Sequence, residues 1–295
     1  MAKERFLDIE HEETPENCAV TCRREPFADR VFDFALQNPS SYVCQTAQTF
    51  EDLREAYRLV HQEYFERGYC KPKPSRTHYT YYCLLPKSRT FLLSEKGKNQ
   101  VLGTASLVLD SPYGLPIESL FPERLGQIRA EGKRLAEVTL LAVSAQEFGK
   151  KIFSLTNVQK LIATFRLFKG LFTHARFEGV TDLIIAVNPK HEKLYHCLTF
   201  ESLGPARPYS GACDNLALLM HLDVIRFADV GFQEQRMVQK YFLEESNAHD
   251  PVKRPPHWDP VVLERLFLEA PSLPDEMFLK NLGHFSGAAL NEVAL

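Results

Sequence analysis

Two rhythms of apolar residues alternate along this chain. Phe50, Leu53, Tyr57, Val60 and Tyr64 recur every three to four residues after Thr49, a good helix cap, and Gly68 closes the run. That spacing predicts a helix. Val158, Leu161, Ile162, Phe165, Phe168 and Phe172 repeat it after Thr156 or Asn157 and stop at Gly179, predicting a second, longer helix. Around these lie short runs of strand character: Tyr42–Thr46, Thr90–Ser94, Val101–Leu109, Leu135–Val143, Val180–Val187 and Leu216–Leu222. KGKNQ makes a hairpin of the second and third runs. A further helix runs from about Pro189 to Leu198, with proline suited to its first turn. This order predicts an α/β (α+β) chain with one mixed central sheet flanked by helices. There is no internal repeat.

The rest of the chain is less regular. Phe27, Val31 and Phe34 fit a short amphipathic helix within a polar N-terminal stretch. The connection from Asp110 to Arg134 is long for a link between strands and reads as a lid or binding loop. KPKPSRTHYTYY is a proline-rich loop in a tyrosine-dense region (Tyr69, Tyr79, Tyr81, Tyr82). Beyond Val224, prolines break up short helical pieces, two of them carrying apolar stripes at Val262–Leu268 and Met277–Leu282. This tail either packs on the main domain or offers Phe242, Trp258 and Phe267 to a partner or a membrane face. The chain is thus divided into a tail or short helix at 1–40, a main domain at 41–224 and a C-terminal helical extension at 225–295.

Composition changes this picture mainly by exclusion. With 295 residues, 44% of them hydrophobic and 25% charged, the chain has an ordinary globular balance. A net charge of −3 provides no global field for nucleic acid. No apolar run approaches the roughly 20 residues that span a bilayer. MAKERFLDIEHEE has no apolar core of a secretion signal, and the expected location is the cytoplasm. The seven cysteines are irregularly spaced and read as reduced thiols.

Candidate chemistry lies in the middle of the chain. LAEVTLLAV carries one acid, Glu137, inside an apolar strand. By alternation Glu137 shares a face with Thr139 and Leu141, while Val138 and Leu140 point away. A carboxylate so placed is desolvated, and its pKa rises toward the range of a general base. The competing reading is a solvated acid at a strand end, or one paired with Arg134. In NPKHEKLYHCLTF, Tyr195 lies seven residues past Asn188 on one helix face, as a proton donor or as a core residue. SAQEFGKK follows Val143 and partly matches the Q/R-x-x-G-x-G/A loop that binds pyrophosphate. Gln146 and Gly149 fit, and Lys151 stands in the last small position. Such a nest suits one phosphate better than a diphosphate, and Lys150 and Lys151 suit an acidic carrier; alternatively this is an exposed basic turn. His191 and His196 are five residues apart, about 140° around a helix, and cannot share a metal. No GxSxG, Walker or dinucleotide-binding glycine pattern occurs.

Asn188, Leu194, Tyr195 and Phe200 match the N-x6-LY-x4-F pattern of the GNAT superfamily of N-acyltransferases, with Thr199 in place of the usual glycine. YRLVHQEYFERGY, TFLLSEKGKNQVLGTASLVLDSPYGLP, RLAEVTLLAV and NPKHEKLYHCLTFESLGPARPY, in that order, resemble the N-acyl amino acid synthases, relatives of the acyl-homoserine-lactone synthases. The resemblance spans about Tyr42 to Val224. It implies a GNAT-like fold with a splayed central sheet, no permanently bound cofactor or metal, and transfer of a fatty acyl group to the amine of an amino acid. The donor is acyl-phosphopantetheine on acyl carrier protein, or acyl-CoA. Lactone synthases carry E-x-T/S-R on the matching strand; here Leu140 replaces the arginine, which favours the amino acid branch.

The implied mechanism places the pantetheine arm between the strands ending near Val143 and Val187. Backbone groups of Leu141, Ala142 and Val143 pair with it, and the amide near Leu141 polarises the thioester. Glu137 deprotonates the substrate ammonium, directly or through water, and Tyr195 protonates the departing thiolate. Arg58 and Thr139 are candidates to hold the amino acid, and Phe91, Leu107, Phe121 and Phe165 to line an acyl tunnel or simply fill the core. The rival functions are a lactone-type autoinducer synthase using S-adenosylmethionine and a non-catalytic module that binds acylated carrier protein.

Overall fold

The computed structural model describes residues 26–37, 41–85, 87–149, 156–229 and 236–243. Lys150, Lys151, Trp258, Phe267 and the stripes at 262–268 and 277–282 lie outside them. The described chain runs α1 (Pro26–Gln37), β1 (Tyr42–Thr46), α2 (Phe50–Glu66), β2 (Arg89–Glu95), β3 (Val101–Leu109), α3 (Pro122–Ala130), β4 (Leu135–Val143), α4 (Ala145–Gly149), α5 (Thr156–Phe177), β5 (Asp182–Val187), α6 (Glu192–Cys197), β6 (Glu201–Ser202), β7 (Arg207–Tyr209), β8 (Asn215–Asp223), α7 (Val224–Asp229) and α8 (Arg236–Leu243). The long connection expected before β4 contains α3.

The strands form one sheet in the order β1-β2-β3-β4-β5-β8-β6, with β7 paired to β8. All neighbours are antiparallel except β4 and β5, which run parallel. This is the mixed α/β architecture expected. α2 starts where predicted because Thr49 and Asp52 cap each other: Thr49 Oγ1 accepts the Asp52 N–H at 3.1 Å, and Asp52 Oδ2 accepts the Thr49 N–H at 3.0 Å.

Each sheet face is covered by one long helix. On one face α5 packs Phe165, Phe168, Leu171 and Phe172 against Phe91, Leu93, Leu107, Val138 and Ile185. The approach is close at Gly170, where a Cβ would sit 2.7 Å from Cys44 Sγ. On the other face Leu53, Tyr57 and Val60 of α2 join Leu92, Val108, Leu135 and Ile184, with Leu115, Ile117, Phe121 and Leu125 closing the edge.

For the flanking residues one expectation is corrected, and for Phe242 the packed alternative holds. In α1, Phe34 is 49% exposed while Phe32 and Ala35 are buried; the side chains of Phe27 and Val31 lie outside the described residues. Phe32 stacks on Phe165 with ring centroids 4.4 Å apart. Phe242 is not a surface group for a partner or membrane: it is buried, edge-on to Phe172 and Phe227. α1 and α8 therefore share the α5-side core, because the outer face of α5 is itself apolar and needs cover.

Candidate active site

The sheet opens at its centre. β4 and β5 pair from Leu135↔Asp182 to Val138↔Ile185 and no further, although β5 continues along β8 to Val187↔Leu218 and β4 along β3 to Gly103↔Val143. The last residues of β4 thus have no strand partner on the β5 side. A bulge lies at the same point. Ser106 faces Thr139 and Thr104 faces Ala142, so Leu140 and Leu141 together oppose Ala105. Leu140 takes up the extra residue at φ 52°, a left-handed conformation that costs a non-glycine residue about 1–2 kcal/mol.

The bulge corrects the expected alternation. Leu140 and Ala142 share the α2-side core with Leu135, whereas Leu141 packs on the α5-side core with Val138 and Val143. Glu137 and Leu141 therefore face opposite sides of the sheet. The backbone of Leu141, Ala142 and Val143 borders the gap between β4 and β5, where an extended ligand could add as a strand.

Glu137 is only 2% exposed. Its pKa is raised to about 8, first by burial and further by the nearby carboxylate of Glu118, against the opposing hydrogen bond from Ile117 N–H to Oε2 at 2.9 Å. Arg134 does not pair with it; that guanidinium lies over Gly179.

Ile117 belongs to a strap, residues 110–121, laid across Glu137 and tied down on both sides. Arg129 grips Asp110 (Nε–Oδ2 2.6 Å, Nη2–Oδ1 2.9 Å) and Glu118 (Nη1–Oε1 2.6 Å, Nη2–Oε2 2.6 Å). From the far edge, Tyr209 Oη donates to Pro116 O at 3.2 Å and Arg207 Nη1 to Leu120 O at 2.9 Å. Through Ile117 the strap contributes to the burial of the acid.

Tyr195 is also buried, with Phe168 and Phe200 edge-on at 5.9 and 6.2 Å. Burial, followed by the neighbouring Tyr69, pushes its phenol well above the usual range, so it stays protonated. Other tyrosines lie near the two candidates. Tyr64 is within electrostatic reach of Tyr195 and Tyr209, and Tyr209 and Tyr82 are within reach of Glu137. Tyr209 itself is raised to about 12, chiefly by burial. The sequence reading placed Tyr64 on a helix stripe and Tyr82 in a tyrosine-dense loop without assigning either to the site, and it missed Tyr209 and the strap ties.

The remaining candidates are placed as follows. Thr139 is half-buried opposite Ser106. Arg58 is exposed on α2, ion-paired to Glu55 at 3.1 Å. Asn188 Oδ1 caps the turn Pro189–His191 by accepting the Lys190 N–H at 3.2 Å. Gln146 is exposed on α4, and Gly149 is its last residue. The N–H groups at this junction already have partners: Ala145 donates to Glu63 Oε1 at 2.7 Å and Glu147 to Ser144 Oγ at 3.2 Å. Phe91, Leu107, Phe121 and Phe165 are packed core residues, at most 5% exposed. Two small cavities lie elsewhere: one of about 100 Å³ beside Tyr42, Glu95 and Phe148, and one of about 10 Å³ among Phe168, Phe172, Phe200 and Phe242. Among the described residues no cluster of His, Cys, Asp or Glu suits a metal, and no helix is long and apolar enough to cross a membrane.

A protein-family model described as N-acyl amino acid synthase FeeM matches residues 55–223. The solved structure of FeeM, an N-acyl amino acid synthase from uncultured soil microbes, is 25% identical over 66% of this chain and 96% of its own, with a TM-score of 0.54. The crystal structure of the AHL synthase LasI is 18% identical over 70% of this chain and 98% of its own, at a TM-score of 0.49. No curated protein matches the chain.

Proposed function

The chain belongs to the FeeM family of N-acyl amino acid synthases, an acyltransferase family, and from that premise we propose that Glu137 is the base with which it acylates an amino acid. The observation that carries this reading is an acid raised to about 8 and held at the point where β4 and β5 part. A base in that range accepts a proton from an ammonium far more readily than an ordinary carboxylate does.

The steps follow from this placement. The fatty thioester lies in the gap, its arm added along 141–143 of β4. The ionised Glu137 takes one proton from the substrate ammonium. The freed amine attacks the thioester carbon, a tetrahedral intermediate forms, and the C–S bond breaks. As the C–S bond breaks, the buried phenol of Tyr195 gives its proton to the thiolate, the nitrogen's second proton passes through the neighbouring phenols to restore Tyr195, and Glu137 returns the first proton to solvent when the strap reopens. The products are an amide and a free thiol. The strap must lift to admit the amine and then close to exclude water.

The donor in this reading is a phosphopantetheine thioester on acyl carrier protein, in the cytoplasm. Arg67, Lys160 and Lys190 are close enough together to act jointly on His191, whose pKa they lower after burial does. Lys190 lies three residues past the end of β5, so this basic cluster flanks the mouth of the gap and suits an acidic carrier. Leu140 supports the amino acid branch: it is buried and apolar where lactone synthases have arginine. Residues 41–224 carry the chemistry, with 1–40 and 225–295 as flanking segments.

Lipid mass spectrometry of a bacterium overexpressing the chain tests the proposal. A new fatty acyl amino acid that disappears with Glu137→Gln is expected. An acyl lactone, or no new amide, would overturn it.

A further inference from the structure

The strap over Glu137 presents the site with the same polar groups that an amino acid would bring. Residues 117–121 form a tight turn, in which the N–H groups of Leu120 and Phe121 both donate to Ile117 O, at 2.9 and 3.3 Å. At one end of this turn the Ile117 N–H donates to Glu137 Oε2 at 2.9 Å. At the other end Leu120 O accepts from Arg207 Nη1 at 2.9 Å, and the guanidinium lies 4.9 Å from the centre of the Phe121 ring. One turn thus offers a donor to the acid and an acceptor to a cation. An amino acid carries that same pair, an ammonium that donates and a carboxylate that accepts.

The cations that hold the strap are unequally committed. Arg129 is matched by the carboxylates of Asp110 and Glu118. Arg207 is exposed on β7, and among the described residues it meets no carboxylate, only the Leu120 carbonyl and the Phe121 ring. A guanidinium has five N–H donors in a planar fork, so a single backbone oxygen leaves room for a carboxylate. Tyr209, two residues on and so on the same face of β7, ties the strap at Pro116 and lies within electrostatic reach of Glu137. β7 therefore holds Arg207 at the rim of the space that opens when the strap lifts. Arg58, the sequence candidate for a substrate carboxylate, is ion-paired to Glu55 instead.

We propose that Arg207 binds the carboxylate of the acceptor amino acid: as the strap lifts, the substrate ammonium replaces the Ile117 N–H at Glu137, and the carboxylate replaces the Leu120 carbonyl at Arg207. The proposal rests on the acyltransferase reading above and deepens it, because it names the side chain that tells an amino acid from a simple amine.

The common amino acids are screened as acceptors with a fatty acyl thioester of acyl carrier protein. The best acceptor is then compared with its own carboxamide, which keeps the amine and loses the negative charge. For the unmodified protein kcat/KM should be about 10-fold to 100-fold lower for the carboxamide. Arg207→Gln and Arg207→Lys both shorten the side chain at the Leu120 contact, but only lysine keeps the positive charge. The Gln variant should lose the preference through a raised KM for the amino acid, and the Lys variant should keep most of it. A preference that survives in Arg207→Gln, its absence from the unmodified protein, or equal loss in both variants overturns the proposal. If no amine is acylated, the acyltransferase reading fails separately. Dissociation constants of the same amino acids and carboxamides then decide: a carboxylate preference lost in Arg207→Gln supports Arg207, and equal or absent binding overturns it.

Discussion

Glutamine at position 137 should make the protein more stable as it removes the base, and the gain should grow with pH. The folded state raises the Glu137 carboxyl from 4.5 to about 8. The folded protein therefore holds this proton more tightly than the unfolded chain does. The resulting stabilisation is fully present below pH 4.5 and is lost as pH rises through 8. Each pH unit across that window removes about 1.4 kcal/mol. The wild type thus loses about 3 kcal/mol at most by pH 7, and about 5 kcal/mol at most by pH 9. Glutamine mimics the neutral acid, keeps an oxygen for the Ile117 N–H and carries no titration. Urea unfolding of both proteins at pH 5, 7 and 9 measures the difference. Glu137→Gln should be ahead by a margin that widens with pH. A margin that stays flat from pH 5 to 9, or a variant less stable at pH 8, would show that Glu137 is not held in a dehydrated site.

Tyr195→Phe should lower kcat by less than about tenfold, because a thiolate with a pKa near 8.5 leaves with little help; a loss above about 100-fold would mean that its protonation limits the rate. Arg129→Ala should loosen the strap, seen as faster amide exchange at Leu115 and Ile117 by mass spectrometry. It should also move the acid limb of kcat/KM above pH 8, since Glu118 would then face Glu137 without its counter-ion; an unchanged limb and exchange rate would refute the clasp. Thr199 sits at φ 69° with a buried hydroxyl that has no partner, so Thr199→Gly should raise unfolding free energy by about 1 kcal/mol in urea titrations; a loss of stability would refute that account.

What could be read in advance depended on how local each cause was. The buried stripes of α2 and α5 repeat within single helices, so their spacing predicts them directly. Arg58 falls off the α2 stripe and is exposed accordingly. Glu63, three residues past Val60, falls on that stripe, and a carboxylate at core-facing spacing was the available signal for it. Its partner, Ala145, is 82 residues away, so that contact was not legible. Burial of Glu137 follows from its apolar neighbours on the strand. The bulge at Leu140 does not: LAEVTLLAV has no glycine to mark it, and pairing with β3 imposes it. The strap ties were hidden for the same reason, since Arg207 and Tyr209 reach back 87 and 93 residues to Leu120 and Pro116.

The central claim is that a buried carboxylate, titrating near 8, takes the proton that frees the nucleophilic amine. Its most direct test is kcat/KM for acyl transfer from pH 5.5 to 9.5, with wild type and Glu137→Gln side by side. The wild type should rise along an acid limb that levels off near pH 8, and the variant should lose that limb and run about 100-fold to 10,000-fold slower at pH 8. A variant that keeps wild-type turnover, or a wild-type limb that levels off near pH 4.5, would contradict it.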